Sequence, residues 1–293
     1  MYKQIDSNKR KSFLLMLGFI LVIVGLGWVW GYYYGEGGYF ITILAAIFAM
    51  LMTSVSFFAG DKIALAQSGA HEIKQGDNPY VWRMVENLSI TAGITMPKIH
   101  IIDDPAMNAF ATGRDPQHSS IALTTGIING LENEELEGVI AHELSHVKNY
   151  DIRIMMVVIV CVGIITLMAD WLLRSFIWGG RGSKDNNKQG NGIVMIIGLV
   201  LAILSPLFAK LIQMAVSRKR EFLADASGAL LTRYPEGLAR ALEKISYQNQ
   251  PLRRANKATA HLYISSPFKG KKVSKFFSTH PPIEERISAL RSM

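Results

Sequence analysis

The segment Ala141-His142-Glu143-Leu144-Ser145-His146 places two imidazoles one helical turn apart, with a carboxylate directly after the first. Side chains spaced i,i+4 stand on one face of a helix, so both histidines can reach a single metal ion. Zinc suits such a site. It accepts two histidine nitrogens and one carboxylate and keeps a fourth position for water, and Glu143 is placed to take that water's proton. The chemistry implied is hydrolysis; the bland alternative is two ordinary surface or core histidines flanking an acid.

Such chemistry needs a helix to carry it, and the sequence predicts one over Glu134 to Tyr150. Leu136, Val139, Ile140, Leu144 and Val147 recur at helical spacing, Asn133 is available as N-cap, and two acidic residues fall in the first turn. A third ligand must come from another helix with an inward acid. The stretch Arg218-Lys219-Arg220-Glu221-Phe222-Leu223-Ala224-Asp225 supplies Glu221 and Asp225, again i,i+4. One of the pair can bind metal while the other accepts a hydrogen bond from a ligand histidine and fixes its tautomer. Arg218 and Arg220 either add electrostatic stabilisation or simply neutralise these acids. Without the histidine motif, an acidic pair among basic residues is a solvated helical face.

With these motifs in view, the chain resembles the HtpX family of bacterial membrane-embedded zinc endopeptidases, gluzincins related to the type I CAAX prenyl proteases. The likeness is carried by two N-terminal apolar spans, Asn108-Ala109-Phe110-Ala111-Thr112-Gly113, the histidine helix, Arg220 to Asp225, Thr279-His280-Pro281-Pro282 and Glu285-Arg286-Ile287. What the resemblance implies is one zinc ion per chain held by His142, His146 and Glu221, with Glu143 as general base. It points to Asn108, Ala109, Phe110 and Ala111 as the strand that pairs with an extended substrate backbone, a segment that otherwise reads as an ordinary sheet strand. It also brings the Thr279 to Pro282 element near the site, where His280 serves either as oxyanion donor or as a turn residue ahead of the last helix. Membrane-protein quality control and unfolded or damaged protein substrates follow from the resemblance alone.

Composition agrees with a membrane enzyme: 293 residues, 49% hydrophobic and only 18% charged. Ser12 to Tyr34 carries no charge, is long enough to cross a hydrocarbon core of about 30 Å, and ends in Trp28, Trp30 and three tyrosines, an interfacial aromatic belt. A second uncharged span runs from about Tyr39 to Ala59, after a glycine-rich turn containing Glu36. Lys3, Lys9, Arg10 and Lys11 precede the first span and no basic residue lies between the two, so the N-terminus and the stretch from Asp61 to Arg153 are expected in the cytoplasm. Ile154 to Leu173 and Ile193 to Ala209 form a second apolar pair. The chain must return to the side it left, because His146 precedes this pair and Glu221 follows it. Asp170, Pro206 and the basic residues between the runs leave open whether it crosses fully or packs partly on protein.

The expected architecture is a mainly α integral membrane protein with a cytoplasmic zincin-like α+β protease domain and a small β-sheet, in a bacterial plasma membrane. Residues 1–60 form the membrane hairpin, 61–153 the protease part with the zinc helix, 154–212 the second hairpin, and 213–293 a helical part with the third ligand. Pro79 to Gly93 reads as a helix, and Lys98 to Ile102, Met107 to Thr112 and Ser120 to Thr124 read as strands. Pro235 to Gln248 and Pro282 to Arg291 read as helices separated by a basic stretch from Arg253 to Lys275. With the net charge of +8, that stretch suits an anionic leaflet or is a solvated loop, and residues from Gln250 to Ser274 can gate the site. No nucleic-acid motif is evident. The expected partners are protein or peptide substrates and the lipid bilayer; oligomeric state is not legible. His71, His100, His118 and His261 read as bystanders, and the lone Cys161 permits no disulfide within a monomer. Two rivals are a prenyl-protein processing enzyme, which would have more spans, and a scaffold with a structural zinc, which would need a fourth protein ligand.

Overall fold

The computed structural model describes residues 2–34, 38–159, 161, 163–164, 218–248, 250–254, 259–267 and 281–293. Two long antiparallel helices come first, α1 (Tyr2–Tyr34) and α2 (Gly38–Ser68), packed against each other. Within them Gln4–Tyr32 and Tyr39–Ser68 are long and apolar enough to cross a membrane. Their outer faces leave large apolar side chains exposed, among them Leu21 at 62%, Trp28 at 56% and Phe40 at 66%. Large apolar side chains exposed in such number form an interaction surface, not a core. The second helix outruns its expected end at Ala59. Asp61 and Lys62 mark where it leaves apolar surroundings, but Ala64 and Leu65 are buried against Phe110, Ala122 and Met156, so packing on the sheet carries it to Ser68.

A four-stranded sheet follows, β1 (His71–Glu72), β2 (Lys98–Ile102), β3 (Ala109–Asp115) and β4 (His118–Thr124), in the order β1-β2-β4-β3. The β2–β4 pair is parallel and the β3–β4 pair is an antiparallel hairpin, which leaves β3 as an edge. Helix α3 (Pro79–Ala92) crosses between β1 and β2. Asn78 caps it by accepting from the Val81 N–H at 3.1 Å, Pro79 opens its first turn, and Gly93 ends it in the left-handed region at φ 67°. A short α4 (Thr125–Gly130) leads into α5 (Asn133–Lys148), the histidine helix.

Helix α5 lies at the centre of the domain and is buried from Glu135 to Val147 except at Glu137. It packs against α6 (Arg218–Thr232), α7 (Pro235–Tyr247), β3 and α3, with α8 (Ile283–Arg291) closing over α6 and α7. Leu136, Val139, Ile140, Leu144 and Val147 join Leu238, Leu242 and Ile245 of α7 and Ile121 and Leu123 of β4 in one core. The residue heading α5 is Glu132, not Asn133. Glu135 at the third helical position reaches back to the Glu132 N–H at 2.8 Å, and that exchange fixes the start one residue earlier than asparagine's general preference suggests.

Residues 151–159 are helical, and Ile154 to Ile159 are buried against the protein. Apart from Cys161, Gly163 and Ile164, the rest of the expected second hairpin, with Asp170 and Pro206, lies outside the described residues. The C-terminal basic stretch differs from expectation where it is described. Leu252 and residues 259–265 are buried, and the Arg253 N–H donates to Asp104 Oδ2 at 2.8 Å, so the backbone of this stretch docks on protein while Gln250, Pro251, Arg253 and Arg254 stay exposed.

Candidate metal centre

Helices α5 and α6 cross where His142 meets Gly228. A Cβ on Gly228 would stand 3.0 Å from the His142 backbone nitrogen, so the glycine permits the close approach that carries Glu221 to the histidines. Gly138, one turn before His142, does the same for α7, where a Cβ would meet the Leu238 backbone at 2.8 Å.

The result is a tight, buried convergence. The His142 and His146 Nε2 atoms are 3.2 Å apart, Glu221 Oε2 is 3.9 Å from the first, and Glu221 Oε1 is 3.7 Å from the second. Ligands at zinc distances on a tetrahedron are separated by about 3.3 Å. Among the described residues these three form the one group of histidine, cysteine or acidic side chains with metal-site geometry.

The other imidazole nitrogens are each held by a carboxylate. His142 Nδ1 lies 2.9 Å from Asp225 Oδ1, and His146 Nδ1 lies 3.0 Å from Asp151 Oδ2. A proton on each Nδ1 leaves both Nε2 lone pairs facing each other at 3.2 Å beside a carboxylate, an arrangement that is repulsive unless a cation lies between them. The donor set therefore fits a divalent ion. The excess negative charge also shows in His146. Burial acts to lower its pKa, but the hydrogen bond to Asp151 and the charges of Glu221, Asp151 and Glu143 outweigh that and push it up to about 9.

Glu143 is buried on the same helix, close enough to His146 and Arg286 to favour their charged forms. Asp225 receives two hydrogen bonds from Arg286, Nε to Oδ2 at 2.8 Å and Nη2 to Oδ1 at 2.6 Å. Burial opposes its ionisation, yet the Arg286 charge and these hydrogen bonds, with that from His142, hold the carboxyl down at about 2. Arg286 is itself 0% exposed, and its Nη1 lies 3.7 Å from Glu221 Oε2.

Of the expected residues, His142, His146, Glu221, Glu143 and Asp225 are thus brought together. Arg218 is not. It stands exposed in the first turn of α6, ahead of the stretch where that helix becomes buried at Arg220 and Glu221, and the guanidinium that meets Asp225 comes from Arg286. His280 lies outside the described residues. Asn108 to Ala111 lead into edge strand β3, as a substrate strand would need, but the edge is partly covered. The Ile264 N–H donates to Ala109 O at 3.0 Å, Asn108 Nδ2 donates to Ser265 O at 3.0 Å, and Phe110 meets Tyr263 edge-on. His118 pairs with Asp115 on the surface. Sequence reasoning gave no role to Arg286, though its motif was noted, nor to Asp151.

The sequence profile of peptidase family M48 matches residues 75–293. This chain belongs to peptidase family M48. Relatives named Protease HtpX homolog align along the whole chain. One from Tropheryma whipplei (strain Twist) is 48% identical over 295 residues, covering 98% of that protein, and one from Ligilactobacillus salivarius (strain UCC118) is 40% identical over 295 residues, covering 100% of it. The crystal structure of S. mikatae Ste24p shares the fold, with a TM-score of 0.50 and 20% identity over 99% of this chain and 67% of that one. This M48 chain is therefore a membrane metalloprotease acting on protein or peptide substrates, mostly helical, with a small mixed sheet and two apolar N-terminal helices.

Proposed function

We propose that the chain is a zinc endopeptidase of the bacterial plasma membrane, with one ion per chain held by His142, His146 and Glu221 and the site facing the cytoplasm. The observation that carries this reading is the pair of imidazoles 3.2 Å apart, each with its far nitrogen held by a buried carboxylate and with Glu221 completing the triangle. When bound, zinc supplies a Lewis acid and lowers the pKa of a water in the fourth position to about 7. With the ion in place, Glu143 would be the residue to accept a proton from the nucleophilic water and pass it to the leaving amine nitrogen. Asp225 and Asp151 keep the two histidines in the tautomer that offers Nε2 to the metal, and Arg286 keeps Asp225 ionised. A scaffold with a structural zinc would close the site with a fourth protein ligand, and none adjoins the three among the described residues.

The substrate is an extended segment of an unfolded or damaged membrane protein, in keeping with a quality-control role. Its backbone pairs with β3. Alternate residues of an edge strand point their N–H and C=O outward, and since Asn108 O accepts from Thr124 N, the outward groups belong to Ala109 and Ala111. Ala111 is thus the anchor for the substrate, next to the Ala109 carbonyl already used by Ile264. Closeness to the bilayer supports the substrate class: Arg114 and Arg153 stack on Phe58 and Phe57 at the foot of α2, and Lys9 on Tyr150, a basic and aromatic collar of the kind found at a cytoplasmic membrane surface.

The test is zinc content and cleavage of an unfolded reporter such as casein by the detergent-purified protein, before and after chelation. One zinc per chain, loss of both zinc and activity with chelator, and recovery on zinc addition are expected. Activity that persists in metal-free protein would refute the proposal.

A further inference from the structure

Asn8 sits on α1 four residues before the uncharged span begins, yet its side chain is 0% exposed. Its Nδ2 donates to Asp151 Oδ1 at 2.7 Å and to Asn149 O at 2.9 Å, bridging 143 and 141 positions of sequence. Both partners are acceptors, so the amide can face them only with its nitrogen. The other oxygen of Asp151 takes the His146 Nδ1 proton at 3.0 Å. A chain of hydrogen bonds therefore runs from the membrane helix through one carboxylate to a histidine of the metal centre. Asn149 is the C-cap of α5, so the same amide also ties down the end of the histidine helix. Leu15 of α1 packs on Ile154 and Val158 one step further along, which seals the contact with apolar surface.

We propose that Asn8 is a positioning residue of the metal centre: the membrane anchor holds the Asp151 carboxylate in the rotamer that pins His146 and aims its Nε2 at the ion. This rests on the reading of His142, His146 and Glu221 as zinc ligands. Without the amide, Asp151 Oδ1 keeps Arg220 Nε only at 3.8 Å, beyond hydrogen-bond distance, and a buried carboxylate with one oxygen unsatisfied rotates or admits water. Groups that orient a metal-bound histidine typically change metal affinity by about 10–100-fold when removed. The N-terminal helix is accordingly part of the catalytic architecture as well as a tether.

The experiment uses the full-length, detergent-purified chain and its Asn8→Leu variant, which keeps the shape and loses the donor. Zinc affinity is measured by competition with a chromophoric zinc chelator, alongside thermal unfolding of the metal-free protein and separate kcat and KM values. Ser12→Ala is the control, since Ser12 is equally buried on α1 but bonds only to the Asn8 carbonyl. Asn8→Leu should bind zinc about 10–100-fold more weakly, with KM little changed, and Ser12→Ala should bind like the parent. In an Asp151→Asn background, adding Asn8→Leu should weaken binding no further, because Asn8 acts on His146 only through the Asp151 carboxylate. Should Asn8→Leu fail to fold, Asn8→Ala, which also removes the donor, serves in the same comparison. Unaltered zinc affinity in a folded Asn8 variant, whatever its unfolding temperature, overturns the inference alone; a parent protein that takes up no zinc overturns the metal-site reading with it.

Discussion

Arg286→Met keeps most of a buried side chain's volume and deletes the guanidinium that donates to both oxygens of Asp225, at 2.8 and 2.6 Å. Asp225 would keep its contact with His142 Nδ1 but lose its counter-charge while remaining buried. Breaking a buried ion pair from one side costs about 3–5 kcal/mol. Ionisation gives a second figure. A carboxyl held at about 2 instead of 3.8 corresponds to roughly 2.5 kcal/mol in favour of the folded state, present above about pH 4 and lost as the pH falls through 2. In a chain of this size each kcal/mol moves Tm by roughly 2–4 °C, so the metal-free variant should unfold about 5–20 °C below the parent. Thermal unfolding in detergent with excess chelator is the assay, since bound metal would stabilise both proteins by mass action and hide the difference. Combining Arg286→Met with Asp225→Asn should recover part of the loss, because no buried charge is then left without a partner. An unchanged Tm in Arg286→Met, or a double variant less stable than either single one by the full sum, would refute the ion-pair account.

Other substitutions separate the roles of the site residues. Glu143→Gln should retain one zinc per chain while peptide hydrolysis falls below detection, read by metal analysis and reporter cleavage; full activity would remove Glu143 from the role of base. His146→Ala should lose zinc and activity together, and the same metal analysis checks it. Gly228→Ala inserts a Cβ 3.0 Å from the His142 backbone and must part the two helices, costing about 1–3 kcal/mol and weakening zinc retention. A variant with unchanged Tm and zinc affinity would show that the crossing is not so tight.

Much of the site was legible because its signals are local. His142, His146, Glu221 and Asp225 announce themselves through i,i+4 spacing within single helices, and the spans through runs without charge. Groups that hold these side chains in place escaped because tertiary approach alone defines them. Arg286 reaches Asp225 across 61 positions and Asn8 reaches Asp151 across 143. Asp151 is only five residues after His146, but on a continuous helix that spacing points well away from it. The contact exists because Tyr150 adopts φ 60° and turns the chain back, and a tyrosine in the left-handed region is not something sequence spacing reveals. In the C-terminal stretch the high density of basic residues masked a short apolar run, Leu262 to Ile264, that docks beside β3. Glu132 lost out to Asn133 as expected cap because single-residue preference ignores the exchange with Glu135.

Anomalous diffraction at the zinc edge from crystals of the purified chain tests the central claim most directly. One peak is expected within about 2.0–2.2 Å of His142 Nε2, His146 Nε2 and a Glu221 carboxylate oxygen. A peak bonded elsewhere, or none with zinc in excess, would contradict the shared metal site on which the chemistry depends.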